Sequence, residues 1–301
     1  MKKRIATLAA ALCLLSAPAL AGDDPFGDFI SPVSSPVVVE DARPLTELRP
    51  VYYYQHIAED FGESLGIDGG DLHAAVVQGR LALSERFALV VNKIGVVWLR
   101  PDQEVFGTLE TDDGWLNLGL GMKYAFYRDP ERRAMATFGL RYETASGDKD
   151  VFSGRGDGLL NPFFAGLWGI GDFHLQGYTG PRIPISGNDS TRYDMSLHGD
   201  YKLGALYPLI EFNWMHTLDG GRRLPLHDEG LDLFTMGSRG AAGHGVVTLA
   251  AGGRLRLFEA MGLSQGQLAG VDLGCAYEVP ITDREEFLGW RIVSDLTFRF
   301  P

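Results

Sequence analysis

Three observations predict an all-β chain: a closed antiparallel transmembrane β-barrel of about twelve strands behind an N-terminal Pro-rich extended arm. The first is the C-terminal run, in which Trp290, Ile292, Leu296, Phe298 and Phe300 share one face and Arg291, Asp295 and Arg299 share the other. Period-two alternation marks a strand whose two faces meet different surroundings. Bulky apolar groups on one side and charges on the other fit hydrocarbon outside and a wet lumen inside. The second is the N-terminus, where Lys2, Lys3 and Arg4 precede an apolar run from Ile5 to Leu15 and a small-residue cleavage site at Ala19 to Ala21. That is the layout of an export signal. The third is that no later apolar stretch approaches the roughly 20 residues a spanning helix needs. In a membrane, this chain crosses as strands.

Residues 1–21 are therefore read as a cleaved signal peptide, 22–49 as a periplasmic arm or plug, and 50–301 as the barrel. Pro25, Pro32, Pro36 and Pro44 punctuate the arm, and each lacks the N–H that a sheet ladder requires. Beyond it, twelve apolar-rich segments are expected at 51–59, 72–82, 87–99, 115–127, 134–145, 159–169, 173–183, 192–203, 207–218, 245–257, 268–279 and 289–300. Their links alternate long and short, the longest covering 219–244, with 258–267 slightly out of step. Loops on one rim and tight turns on the other produce that rhythm. An even strand count places both termini on the short-turn, periplasmic side. Segments 51–59, 72–82, 87–99 and 159–169 alternate poorly, which points to bulges or displaced boundaries.

The parities send Lys123, Arg141, Glu143, Arg192, Asp194, Asp200, Lys202, Glu211, Arg254, Arg256, Asp272, Glu278, Arg291, Asp295 and Arg299 into the lumen as its lining. These charges nearly balance, so selection for one sign of ion is not expected. The whole chain is acidic, at −12 with 27 basic and 39 acidic residues, and loss of the signal makes it more so. That argues against nucleic acid as a partner. Cys13 lies in the signal, so Cys275 stands alone and no intrachain disulfide forms. Aromatic residues gather at the strand ends. Trp98, Trp115, Trp214 and Trp290 fall toward the long-loop rim, while Trp168, Tyr207, Phe258, Phe298 and Phe300 fall toward the short-turn rim. Two girdles are what two membrane interfaces select.

Groupings that carry chemistry are few. Ser196 and His198 share a strand face, but side chains two apart are roughly 7 Å apart at Cα, beyond a nucleophile–base hydrogen bond. A solvated lumen stripe is preferred over a hydrolase. His216, His227 and His244 lie near Asp219, Asp228, Glu229 and Asp232 in a spacing that matches no zinc pattern. Neither a metal nor a cofactor is expected. Gly119, Gly121, Gly252 and Gly253 sit inside strands with no following helix, so they are packing glycines rather than a phosphate cradle.

The arm Asp24–Val33, the run Asp41–Pro50, and the segments Gly230–Ser238, Gly274–Pro280 and Asp295–Phe300 together resemble a group of bacterial outer-membrane proteins associated with MetA-pathway phenol degradation. The resemblance covers most of the mature chain and implies a barrel channel for hydrophobic or aromatic compounds. The terminal aromatic also resembles the signal read by the barrel-assembly machinery, although here Pro301 follows Phe300. The function expected is a narrow outer-membrane channel or passive transporter for small molecules, with outer-membrane lipid as its surroundings. The alternatives are a closed structural or surface-binding barrel working through its long loops and, third, an outer-membrane hydrolase.

Overall fold

Strands adjacent in the chain pair antiparallel all the way round, and the last pairs with the first. The computed structural model describes residues 24–61, 69–105, 109–154, 156–263 and 268–301; the export signal read over 1–21 lies outside them. The strands are β1 (Glu47–His56), β2 (Gly70–Ala82), β3 (Phe87–Pro101), β4 (Asp112–Trp115), β5 (Gly119–Asp129), β6 (Ala134–Glu143), β7 (Leu159–Ile170), β8 (Phe173–Pro184), β9 (Thr191–Tyr201), β10 (Leu206–Asp219), β11 (Gly245–Arg256), β12 (Gly270–Pro280) and β13 (Trp290–Arg299). The seam runs from Glu47 opposite Arg299 to His56 opposite Trp290. Twelve strands make the wall. The thirteenth, β4, pairs only with the long-loop end of β3, Val96 opposite Trp115 and Leu99 opposite Asp112.

Three boundaries differ from the sequence reading. β1 starts at Glu47 rather than 51, because Glu47 and Arg49 already alternate inward with Val51 and Tyr53. The segment 115–127 divides, since β4 ends at Trp115 and β5 begins at Gly119. A single helical turn, α1 (Leu257–Ala260), occupies the link that broke the long–short rhythm. One turn is too short to leave a helical period in the sequence.

The poor alternation of the early strands has two causes. In β3 the ladder slips between Val77 opposite Ile94 and Gly79 opposite Val91. Lys93 takes a left-handed φ of 66°, and both Asn92 and Lys93 turn inward as a bulge. The second cause is that the inner wall of these strands and their neighbours is apolar toward the long-loop end. Val51, Tyr53, Leu72, Ala74, Val76, Val97, Leu99, Met215, Val246 and Val293 face inward and form a buried core with side chains from the loops. The expectation of a uniformly wet inner face is corrected here: apolar patches sit among the charges at both ends, Met135, Ala165 and Leu167 toward the short-turn rim and Val97, Met215 and Val246 toward the long-loop rim, where Arg182, Arg192, Glu278 and Arg291 also face inward. Tyr207, read as an outer girdle residue, also points inward and lies beneath the Arg256 guanidinium, 4.9 Å from its ring centroid.

The outer face keeps large apolar groups in the open on every side of the barrel, among them Leu120, Met122, Phe138, Phe164, Leu197, Phe212, Leu273 and Leu296. A continuous apolar belt of this kind is unfavourable in water and matched to hydrocarbon. Inside, Gly139 leaves room for the Phe163 ring, which a Cβ at 139 would overlap. We expect Gly139→Val to destabilise the barrel by about 1–3 kcal/mol or more through overpacking, read as a lowered urea midpoint in vesicles, whereas an outward change such as Leu140→Val leaves the midpoint nearly unmoved.

Candidate functional site

The lumen is where the charged side chains converge, and the chain's own N-terminal arm fills it. Residues 24–46 rise from the short-turn rim, reverse at Ser35 and descend again into β1. The reversal is tight. The Val38 and Val39 amides both donate to the Ser35 carbonyl, at 3.0 and 2.9 Å, and Ser35 itself has a left-handed φ of 47°. The two limbs are stapled by Arg43, which donates to Asp41 and to the Phe29 carbonyl at 2.7 Å, and by the Ser31 hydroxyl, which donates to Asp41 at 2.9 Å.

An irregular backbone removed from water must find partners for its polar groups, and wall side chains supply them. Gln176 donates to the Ile30 carbonyl (2.6 Å), Gln78 to that of Pro36 (2.7 Å), Asn92 to that of Val37 (2.8 Å) and Thr137 to that of Ala42 (2.6 Å). Arg49 bridges the Pro32 carbonyl and Asp295, each at 2.6 Å. Glu211 accepts from the Val33 and Ser34 amides (2.8 and 2.6 Å) and from the Ser34 hydroxyl. Lower down, Glu40 of the arm sits between Arg80 at 2.5 Å and Lys123 at 2.8 Å. Burial alone would raise this carboxyl, but the two cations overcome it and hold it down to about 2. Asp41 is buried too, and Arg43 keeps it below the usual carboxylate range.

From the other rim, the loop 220–244 folds into the mouth. Its nucleus is Glu229, which accepts from the amides of Gly230 (3.1 Å), Met236 and Ser238 (3.1 Å) and from the Ser190 hydroxyl (2.6 Å). Leu231, Leu233, Phe234 and Met236 pack into the apolar core of the mouth. Arg182 and Arg192 donate to the Leu231 carbonyl at 2.8 and 2.7 Å. Arg291 joins loop, wall and arm: it reaches Asp232 of the loop, Glu278 of β12 and the Ser35 hydroxyl of the arm, all at 2.7 Å.

Of the residues expected to line the lumen, Arg141, Arg192, Asp194, Asp200, Glu211, Arg254, Asp272, Glu278, Arg291 and Asp295 are buried inside the barrel. The structure pairs Arg182 with Asp194 and Arg254 with Asp295, each at 2.7 Å, and Arg299 with Asp272 at 3.0 Å. Arg141 donates to Asn161 and to the Val38 carbonyl, and Arg256 to the Gly27 and Phe29 carbonyls. Glu143, at the long-loop end of β6, accepts from Lys93 at 2.9 Å. Lys202 departs from the set, lying one residue past β9 in the turn to β10 rather than in the wall. Sequence reasoning missed Arg49, Glu47, Arg80 and Lys93. The inward parity of the first two would have shown them had β1 been started at 47, but the bulge hid Lys93.

The aromatic residues expected at the interfaces lie at the strand ends. Trp98, Trp115, Trp214 and Trp290 are toward the long-loop rim and Trp168, Phe298 and Phe300 toward the short-turn rim, all exposed or half-buried. His198 does not serve Ser196: its Nδ1 meets Glu211 at 2.6 Å and its Nε2 meets Asp200 at 2.9 Å. Both ring nitrogens are committed to carboxylates, leaving none to activate a hydroxyl. Asp232 and Glu229 are likewise taken by Arg291 and by loop amides.

Between the arm tip and the loop remains a partly open cavity of about 30 Å³, lined by Val37, Asn92, Lys93, Arg141, Glu143, Arg182 and Asp232 among others. It has room for about two waters. The arm fills the lumen below this cavity, and loop 220–244 packs into the mouth above it.

A barrel closed on itself, greasy outside and braced by ion pairs within, defines the outer-membrane β-barrel class. The chain shares that fold with the COG4313 outer membrane channel from Pseudomonas putida F1, at 12% identity and a TM-score of 0.55 over 90% of this chain and 100% of that one. Lower likenesses include the β domain of the Bordetella autotransporter BrkA (13% identity, TM-score 0.47, 85% of this chain and 99% of that one) and the KdgM porin (11%, 0.42, 85% and 99%). No family model matches the sequence, and no curated protein matches it significantly.

Proposed function

We propose that this protein is a narrow outer-membrane channel for small, largely apolar molecules, closed at rest by its arm from one side and by loop 220–244 from the other. One observation carries the reading: on one side of the mouth the inner wall bears an apolar patch, Val51, Tyr53, Leu72, Val97, Met215, Val246 and Val293. A solute that dislodges that loop meets a wall suited to hydrocarbon or an aromatic ring. The likeness of the arm and terminal segments to the MetA-pathway outer-membrane proteins points to the same solute class, and we propose kinship with that group. The filled interior favours a second reading, a permanently closed barrel that works through its loops.

Planar-bilayer recording separates the two. We expect the intact protein to be silent or to flicker rarely. Replacing residues 24–43 by a short Gly/Ser segment, which spares β1, is expected to produce discrete conductance steps. Folded protein that stays silent after that replacement and after removal of loop 224–238 would overturn the channel and leave the closed barrel.

A further inference from the structure

Two guanidiniums meet on one uncharged oxygen at the mouth. Arg182 of β8 and Arg192 of β9 are direct cross-strand partners, and both donate to the Leu231 carbonyl of loop 220–244, at 2.8 and 2.7 Å. The neighbouring Asp232 carboxylate meets Arg291 at 2.7 Å through one oxygen. Its other oxygen has no hydrogen-bond partner, and the residue lines the small cavity together with Lys93 and Arg182. The loop thus sets a carbonyl and a carboxylate among Lys93, Arg182, Arg192 and Arg291. Its withdrawal removes both. Lys93, Arg182 and Arg291 then keep a wall carboxylate each, in Glu143, Asp194 and Glu278. Arg192 keeps none: it is fully buried, its Nε has no partner, and the Leu231 carbonyl is its hydrogen-bond acceptor. The apolar patch begins beside it on the next strand. Arg192 lies opposite Thr217, Asp194 opposite Met215, and Met215 opposite Val246.

We propose that Arg192, with Arg182 beside it, is a binding subsite for the carboxylate of a monocarboxylic acid anion whose short apolar tail lies on the neighbouring patch. The inference rests on the channel reading and adds a charge to the solute it names. A guanidinium presents a planar fork that matches a carboxylate, and such charge-assisted bonds are roughly twice as strong as those to a neutral acceptor. The Leu231 carbonyl is therefore a weak occupant of a place suited to an anion. With the loop withdrawn, Arg192 is the cation left without a counter-charge, so one negative charge balances the open mouth and an amine would add to the excess. The anion binds where the loop has left, and so it draws the equilibrium toward the released loop. Loop 220–244 closes the mouth by supplying the oxygens that the solute would otherwise bring.

The test uses full-length protein in lipid vesicles with Cys275→Ser and Ser238→Cys, because Ser238 is buried in the closed loop and labelling at that position by a membrane-impermeant maleimide reports loop release. At neutral pH and constant ionic strength, hexanoate is expected to speed labelling several-fold and to saturate. Hexanol, which has the same tail without the charge, and hexylammonium, which reverses the charge, are expected to leave the rate unchanged. The Arg192→Gln variant loses one tie to Leu231, so its loop is expected to label faster without solute, yet hexanoate should no longer change the rate. Those opposite outcomes separate a binding residue from one that only fastens the loop. Arg192→Lys keeps the charge without the fork and covers a failure of the glutamine variant to fold; it is expected to respond only at higher hexanoate concentrations. The proposal is overturned if hexanoate leaves the parent rate unchanged, if hexanol matches it, or if either Arg192 variant responds as the parent does. Conductance recorded on the same protein keeps the two readings apart. Labelling driven by hexanoate without conductance under any condition removes the channel alone, and conductance without an effect of hexanoate on labelling removes the subsite alone.

Discussion

Replacing Arg291 by Met is expected to cost about 3–5 kcal/mol, the usual penalty for stranding the partners of a buried cation. The guanidinium is fully buried and satisfies Asp232, Glu278 and the Ser35 hydroxyl at once. Its loss leaves two carboxylates facing each other's field in a medium with little water. The side most free to relieve this is the loop, since Glu278 belongs to the wall. We therefore expect the Arg291→Met protein to show limited proteolysis within 220–244 and a lower urea midpoint. Arg291→Lys keeps the charge but cannot reach three acceptors from one plane, so an intermediate loss is expected. Adding Asp232→Asn to the Met variant should recover part of the stability, because it removes one stranded charge. A Met variant as stable and as protease-resistant as the parent would show that this guanidinium does not couple loop to arm.

The second large effect concerns the foot of the arm. Glu40→Gln removes the negative charge shared by Arg80 and Lys123 and is expected to weaken arm docking by about 3–5 kcal/mol, read as faster maleimide labelling of Ala42→Cys in a Cys275→Ser background. Acid makes the same change without mutation. The Glu40 carboxyl is held at about 2 against an ordinary 4.5, so its contribution is fully present above pH 4.5 and is lost as pH falls through about 2. Labelling of the Ala42→Cys protein by 2,2′-dipyridyl disulfide, which reacts with thiols in acid as maleimide does not, should thus stay slow at pH 4 and rise steeply only near pH 2. A rise centred on pH 4.5 would mean that the carboxylate is not paired as described.

Much of the wall was legible from the sequence because its inner face is charged where alternation is cleanest. Arg254 with Arg256, Asp272 with Glu278, and Arg291 with Asp295 stand out against apolar neighbours at period two, and their strands emerged nearly as drawn. β1 to β3 were harder for a physical reason. Where Val51, Tyr53, Leu72 and Val97 face a greasy interior, both sides of a strand are apolar and the period vanishes. The bulge at Asn92 and Lys93 then shifts the parity of the rest of β3. β4 was invisible because its pairing depends on a neighbour strand and not on its own four residues. The arm was visible as Pro-rich, but its docking was not. Ser34 meets Glu211, and Ser35 meets Arg291, across more than 170 positions of chain, and nothing in local composition announces such partners.

The seating of the arm also has a consequence for assembly. Val33 and Ser34 bond to Glu211 of β10, and Ser35 to Arg291 of β13, strands that follow it by most of the chain. The first segment of the described chain therefore reaches its place only after the last strand has arrived, and the interior is filled last.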